Sequence, residues 1–254
     1  MSAVVVVDSG VANIGSVVAA LERAQAQVSV SRDWEVIRAA PRVLLPGVGS
    51  AAAAMRELHA LGLAEKLPKL TQPVLGICLG MQLLFEGSEE GGEVEERGWG
   101  LGAGARESAP AQSGGFDSAA PASRFASAPA GAPQPPAPSP ALVPCLSILP
   151  GTVRRLPEAP AVRIPHMGWN ALIPCRDHPL VEGLGARDYA YFVHSFAVAE
   201  SGLTLMACEH GQRFSAIVAR GNFMGAQFHP ERSAAVGARL LRNFLNLGPG
   251  DLPA

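Results

Sequence analysis

The chain has 254 residues, 48% of them hydrophobic and 17% charged, with a formal net charge of −2. That length and apolar content suit one or two domains with a full core and exclude wholesale disorder. With 20 basic and 22 acidic residues and no basic run, the chain does not read as a general polyanion binder, so no nucleic-acid partner is expected.

The first ten residues hold a four-valine run without a basic n-region. They read as a first strand over 4–8, not as a signal peptide. No apolar run approaches the ~18 residues of a membrane helix, so no membrane partner is expected. An amphipathic helix follows over 14–24, then short strands over 28–31 and 43–46. Ser50 is placed to cap a helix over 51–66. A strand over 74–78 runs into a helix over 79–86. Further strands are expected over 152–156, 171–174, 189–194, 203–209, 215–219 and 223–228. A helix over 233–247 closes the chain. The first half thus reads as β-α-β units on a parallel sheet, and the second is richer in strands, some paired as hairpins.

The stretch 103–147 breaks this pattern. Of its 45 residues, 33 are Ala, Pro, Ser or Gly, and it holds nine of the 22 prolines. So little bulky apolar surface does not offset ordering entropy, and a disordered insertion with local polyproline character is expected. Removing it leaves 209 residues, suited to a single domain. The four cysteines, Cys78, Cys145, Cys175 and Cys208, show no CxxC spacing. This argues against a zinc site or disulfide framework and for reduced thiols in a cytosolic enzyme, one of them a candidate nucleophile.

The stretch Val74-Leu75-Gly76-Ile77-Cys78-Leu79-Gly80 is a short apolar strand entering G-x-C-x-G and then a helix. It has the shape of a nucleophile elbow with cysteine in place of serine. Gly76 and Gly80 remove β-carbons that a sharp turn would crowd. Cys78 then stands at a helix N-terminus, where the dipole favours thiolate, and the Leu79 N–H points toward a developing oxyanion. Taken alone, the pattern also fits a buried core cysteine.

In Gln227-Phe228-His229-Pro230-Glu231, extended backbone puts His229 and Glu231 on one side. A carboxylate there fixes the imidazole tautomer and supports the imidazolium, completing nucleophile, base and orienter. A surface ion pair is the plainer alternative. Pro46-Gly47-Val48-Gly49-Ser50 lies at a strand end before a helix and can turn an N–H toward substrate, although a simple turn fits as well. Pro165-His166-Met167-Gly168-Trp169-Asn170 suits a partner surface or a core position for Trp169. Tyr191-Phe192-Val193-His194-Ser195-Phe196 ends a strand in polar groups, where open α/β sheets bind substrates. For His194 itself, a satisfied structural histidine is the better reading.

Taken in order, the cysteine elbow, PHMGWN, YFVHSF and QFHPE resemble the triad (class I) glutamine amidotransferases. Within that family, PHMGWN with YFVHSF is similar to the glutaminase subunits of imidazole glycerol phosphate synthase. The likeness runs end to end apart from the insertion, which splits Trp99-Gly100-Leu101-Gly102 from Leu149-Pro150-Gly151.

The resemblance implies an α/β fold: a three-layer, open, mostly parallel sheet flanked by helices and interrupted by the insertion. It implies that Cys78 attacks the side-chain amide of L-glutamine, with His229 as base and Glu231 orienting it. Backbone from Leu79 and from Val48 and Gly49 would hold the oxyanion. Gln82, one helical turn after Cys78, would help hold substrate, and backbone at Ser195 and Phe196 would contact its α-amino and carboxylate ends. Neither cofactor nor metal is implied. The implied partner is a HisF-type (β/α)₈ cyclase subunit in a heterodimer. It would receive the ammonia and convert the ribulosyl intermediate PRFAR into imidazole glycerol phosphate and AICAR. Trp169, Tyr191 and Arg232 match positions at or near that interface, and the family's low activity without liganded partner suggests an oxyanion hole completed on activation.

The chain departs from the family pattern at four positions. Ser9 stands for an aromatic, Ala12 for a glycine, Phe196 for a tyrosine and Arg232 for a lysine. Other readings are a glutaminase serving another synthase, such as anthranilate or aminodeoxychorismate synthesis, a cysteine hydrolase of other amides, and a non-catalytic subunit. PHMGWN argues against the first, the motif order against the second, and the intact Cys78, His229 and Glu231 against the third.

Overall fold

The computed structural model describes residues 2–10, 14–91, 141–160, 162–248 and 251. Most of the expected insertion, the 99–102 segment and residues 11–13 lie outside these. In chain order the elements are β1 (Ala3–Val7), α1 (Ile14–Arg23), β2 (Gln27–Ser31), α2 (Trp34–Ala39), β3 (Val43–Gly47), α3 (Ala51–Ala60), β4 (Val74–Cys78), α4 (Leu79–Gln82), β5 (Gly87–Ser88), β6 (Val143–Pro144) and β7 (Thr152–Arg155). Then come β8 (His166–Ala171), β9 (Ile173–Pro174), β10 (Tyr189–His194), β11 (Phe196–Val198), β12 (Thr204–His210), β13 (Gln212–Arg220), β14 (Phe223–Ala226) and α5 (Ala234–Asn246).

The main sheet has eight strands in the order β2-β1-β3-β4-β14-β13-β12-β9. The five strands from β2 to β14 are parallel; β13 and β12 continue the sheet antiparallel as successive hairpins, and β9 pairs antiparallel with β12 at the edge. The four-valine run is explained by burial on both faces. Val4 and Val6 join one core cluster, and Val5 and Val7 the other. A central parallel strand is covered on both sides, so it reads as continuous rather than alternating hydrophobicity. One cluster takes α5 through Leu240, Leu241, Phe244 and Leu245, and α1 through Val17 and Leu21. The other takes α3 through Ala51, Ala54, Met55 and Leu58, and α2 through Ile37. Burying each of the larger side chains contributes roughly 1.5–3 kcal/mol.

Several boundaries differ from the sequence reading, each with a local cause. Helix α2 was not expected; Asp33 caps it by accepting from the Glu35 N–H at 2.8 Å. Ser50 caps α3 through the Ala53 N–H at 3.3 Å, but the helix ends at Ala60 rather than running to 66. Gly62, at φ +62°, turns the chain there. Helix α4 stops at Gln82, not at 86: the Leu84 and Phe85 N–H groups donate to Met81 and Gln82 in tighter i→i−3 turns, at 3.1 and 3.2 Å. The carbonyls of Leu83, Phe85 and Leu84 then accept from Leu146, Ser147 and Ile148 at 2.9 Å each, so a neighbouring segment satisfies the groups that follow the helix.

That segment also corrects the far boundary of the insertion. Val143–Pro144 pairs with Gly87–Ser88, and Cys145 and Leu146 are buried. Residues 143–147 are therefore built into the fold, though their proline and serine read as low complexity. PHMGWN likewise forms a strand of its own, β8, paired antiparallel with β10.

Candidate active site

The elbow is set by close packing. A β-carbon on Gly80 would lie 1.9 Å from the Leu45 carbonyl oxygen, and one on Gly76 would lie 2.5 Å from the Gly80 oxygen. Real β-carbons do not approach so closely, so only glycine lets β3, β4 and the start of α4 meet here. The turn places Cys78 at φ +53°, ψ −112°. For a non-glycine residue this backbone costs of order 1–3 kcal/mol, held by the surrounding sheet. The sulfur-bearing side chain sits at the carboxyl end of β4, between β3 and β14, as substrate-facing groups do in open α/β sheets.

His229 and Glu231 arrive from the loop after β14. Nδ1 of His229 lies 2.8 Å from Oε1 of Glu231. The other ring nitrogen is left for Cys78, which lines the same cavity. Burial disfavours charge on His229, but the adjoining Cys78 and Glu231 side chains outweigh it and push its pKa up to about 10. The loop is anchored from both sides. The His229 N–H donates to the Tyr191 carbonyl at 3.0 Å. The Ser233 hydroxyl donates to the His229 carbonyl at 2.7 Å and accepts from the Tyr191 N–H at 2.9 Å. Gly237 lets α5 press on this turn, since a β-carbon there would lie 1.9 Å from the Pro230 oxygen.

Cys78, His229 and Glu231 share a cavity of about 360 Å³ with Val48, Gly49, Leu79, Gln82, Ser195, Phe196 and Arg232. All the residues expected at the reacting centre thus come together, although they are scattered over 185 positions from Val48 to Arg232. Gln82 is buried, and its Nε2 donates to the Phe196 carbonyl at 2.9 Å and to Oε1 of Gln227 at 3.0 Å. Trp169 and Tyr191 lie elsewhere, as an edge-on pair with centroids 6.0 Å apart across β8 and β10. Trp169 is 53% exposed, which excludes the core position open to it in the sequence. Met167 and Tyr189 add to the same exposed apolar ribbon. Arg232, expected at the partner face, also borders the cavity.

Two groups escaped the sequence reading, Gln227 behind the Cys78 sulfur and Glu90 in the cavity wall. Gln227 is fully buried, and its Nε2 reaches the Cys78 sulfur at 3.8 Å. The alternation that singled out His229 and Glu231 also points Gln227 to that side. Glu90 follows β5, and no pattern in the sequence marks it. Burial pushes its carboxyl up to about 7, against the Ala51 backbone N–H, which favours the charged form. Among the described residues, no cluster of His, Cys, Asp or Glu is arranged to hold a metal ion. No helix in them is long and apolar enough to cross a membrane.

Comparison with known proteins fits this arrangement. The family model described as glutamine amidotransferase class-I matches residues 5–247. The chain is similar to the imidazole glycerol phosphate synthase subunit HisH of Xanthomonas axonopodis pv. citri, at 44% identity over 97% of this chain and 98% of that one. It is 43% identical to the HisH subunit of Xylella fastidiosa over the same shares. Among solved structures, a glutamine amidotransferase superposes with a TM-score of 0.58 at 18% identity, covering 95% of this chain and 96% of that one. The PurLQS structure from Thermotoga maritima superposes at 0.59 and 17% identity, covering 97% and 99%. At those identities the two structures show the fold alone.

Proposed function

The chain belongs to the class I glutamine amidotransferase family, and on that premise we propose that it is the glutaminase subunit of an imidazole glycerol phosphate synthase. The observation that carries the chemistry is the convergence of Cys78, on its strained elbow, with the hydrogen-bonded pair His229 and Glu231 in one cavity. The names of the relatives carry the choice of synthase.

In this reading His229 takes the proton of the Cys78 thiol, and Sγ attacks the carboxamide carbon of glutamine, forming the C–S bond as the carbonyl π pair moves onto oxygen. The oxyanion is met by the Leu79 N–H and by backbone of the Val48–Gly49 turn, where Gly49 stands at φ +90°. The tetrahedral intermediate collapses by breaking the C–N bond. His229 supplies the proton with which ammonia leaves; once the sulfur is acylated, the Cys78 side chain no longer raises the ring's proton affinity, and the ring gives the proton up more readily. Water then attacks the thioester, with His229 as base, releasing glutamate and restoring the thiol. Glu231 holds the ring in the tautomer that aims Nε2 at sulfur. Glu90, as carboxylate, pairs with the α-ammonium of substrate, while backbone at Ser195 and Phe196 takes its remaining polar ends. A cavity of about 360 Å³ suits a free amino acid better than a length of folded polypeptide.

The ammonia is destined for a cyclase subunit. The exposed ribbon of Met167, Trp169 and Tyr189 beside Tyr191 supports a docking face there, since aromatic and methionine side chains are enriched in interfaces. Cys78→Ser tests both halves of the reading. Paired with the cyclase, the variant should lose glutamine-dependent synthesis and keep synthesis from added ammonium. Stoichiometric labelling of wild-type Cys78 by a glutamine-analogue electrophile should accompany this. Wild type without glutaminase activity, alone or with liganded cyclase, refutes the proposal.

A further inference from the structure

We infer that His194 is a positioning residue for this reaction, the last donor of a one-way hydrogen-bond chain that runs from β8 to the Phe196 carbonyl, which also accepts from the Gln82 amide behind the Cys78 sulfur. The role rests on the amide-hydrolysis reading above, but the chain itself is fixed by atoms that can only donate or only accept.

At one end stands the Phe196 carbonyl, an acceptor only. Nδ1 of His194 lies 2.8 Å from it and must carry a proton. At the other end stands Asn170. Its Oδ1 accepts from the Ala171 N–H at 2.8 Å, which fixes which way the amide faces. Its Nδ2 then donates both to the Glu209 carbonyl at 2.9 Å and to Nε2 of His166 at 3.2 Å. Nε2 of His166 therefore bears no proton, and Nδ1 of His166 does. That Nδ1–H meets Nε2 of His194 at 3.0 Å, which must accept. Both rings are thereby held as the neutral Nδ1–H tautomer. A charged His194 would set N–H against N–H, and reversing His166 would set its Nε2–H against the Asn170 amide.

The surroundings enforce neutrality. His194 and His166 are buried between Phe192 and Phe214. His210 stacks on His166 at 4.1 Å, and its own Nε2 is engaged by the Arg163 carbonyl at 2.8 Å. The groups whose charges bear on His194 include His210 and His229. Burial, with these neighbours, pushes His166 down to about 3 and His194 down to about 4.

The Phe196 carbonyl joins this chain to the site. It accepts from His194 and also from Gln82, whose amide is tied to Gln227 and so to Cys78. Removing His194 takes away one of the two hydrogen bonds that the Phe196 carbonyl accepts in the cavity wall. Buried groups tolerate such losses poorly.

The first test needs neither glutamine nor partner. Nitrogen-15 NMR of the whole chain, labelled at histidine, should show His166 and His194 as neutral Nδ1–H rings from pH 6 to 8. Free neutral imidazole favours the other tautomer, so an Nε2–H or charged ring at either position overturns the chain. The second test compares His194→Asn, which keeps a donor near the place of Nδ1, with His194→Gln, which puts the amide near the place of Nε2. The Asn variant should lose least in kcat for glutamine, and the Gln variant at least fivefold more. Alkylation of Cys78 by iodoacetamide should slow in the same order. Equal losses in both variants, or losses that follow melting temperature alone, would show a merely structural histidine. Wild type without glutaminase activity refutes the amide-hydrolysis reading, while the tautomers and the alkylation order still judge the positioning.

Discussion

Glu90→Gln should make the protein more stable at pH 8 and a poorer enzyme. Burial raises the Glu90 carboxyl from its ordinary 4.5 to about 7. An acid whose folded value exceeds its unfolded value holds its proton more tightly when folded, so its ionisation costs stability. The cost is absent below pH 4.5, grows as pH rises to about 7, and is constant above that. The full displacement is worth about 3 kcal/mol; because Glu90 borders an open cavity, about 2–3 kcal/mol is expected at pH 8. Glutamine keeps the shape and the acceptor facing the Ala51 N–H, but carries no charge. For a chain of this size, melting should rise by roughly 5–10 °C at pH 8 and change little near pH 4.5. Urea unfolding of both proteins at pH 4.5, 6 and 8 reads the difference directly. In the same variant KM for glutamine should rise roughly tenfold or more, because a charged contact to the α-ammonium is lost. Stabilisation that is equal at all three pH values, or destabilisation at pH 8, refutes the electrostatic reasoning. An unchanged KM removes Glu90 from substrate recognition.

Two further variants probe what shapes the site. Gly80→Ala should abolish Cys78 alkylation and glutaminase activity, because its β-carbon would stand 1.9 Å from the Leu45 oxygen and the elbow must open; near wild-type labelling would show that the backbone yields cheaply. Excising residues 103–147 should cost at least roughly 3 kcal/mol more in urea unfolding than excising 103–140, because the longer deletion removes β6 with the buried Cys145 and Leu146. Equal stability of the two deletions would show that 143–147 are dispensable.

The sequence by itself determined the strand-and-helix rhythm and the reacting groups. Both are written in local patterns. Cys78 is marked by glycines two residues to either side, and His229 and Glu231 by the two-residue period of extended chain. The four-valine run announced a strand covered on both faces. What the tertiary structure decided depends on contacts between distant segments. The carbonyls that follow α4 find their partners more than sixty residues away, which no local propensity encodes. For the same reason, residues 143–147 read as low complexity and yet are core. Glu90 became a cavity carboxylate only because the turn after β5 lies beside the start of α3, with Gly91 against Ser50 and Ala52. His194 was legible as a satisfied buried histidine, but its place in a directed chain needed Asn170, His166 and the Phe196 carbonyl brought within hydrogen-bond reach. Spacing along a chain specifies which way a side chain points; only packing specifies what it meets there.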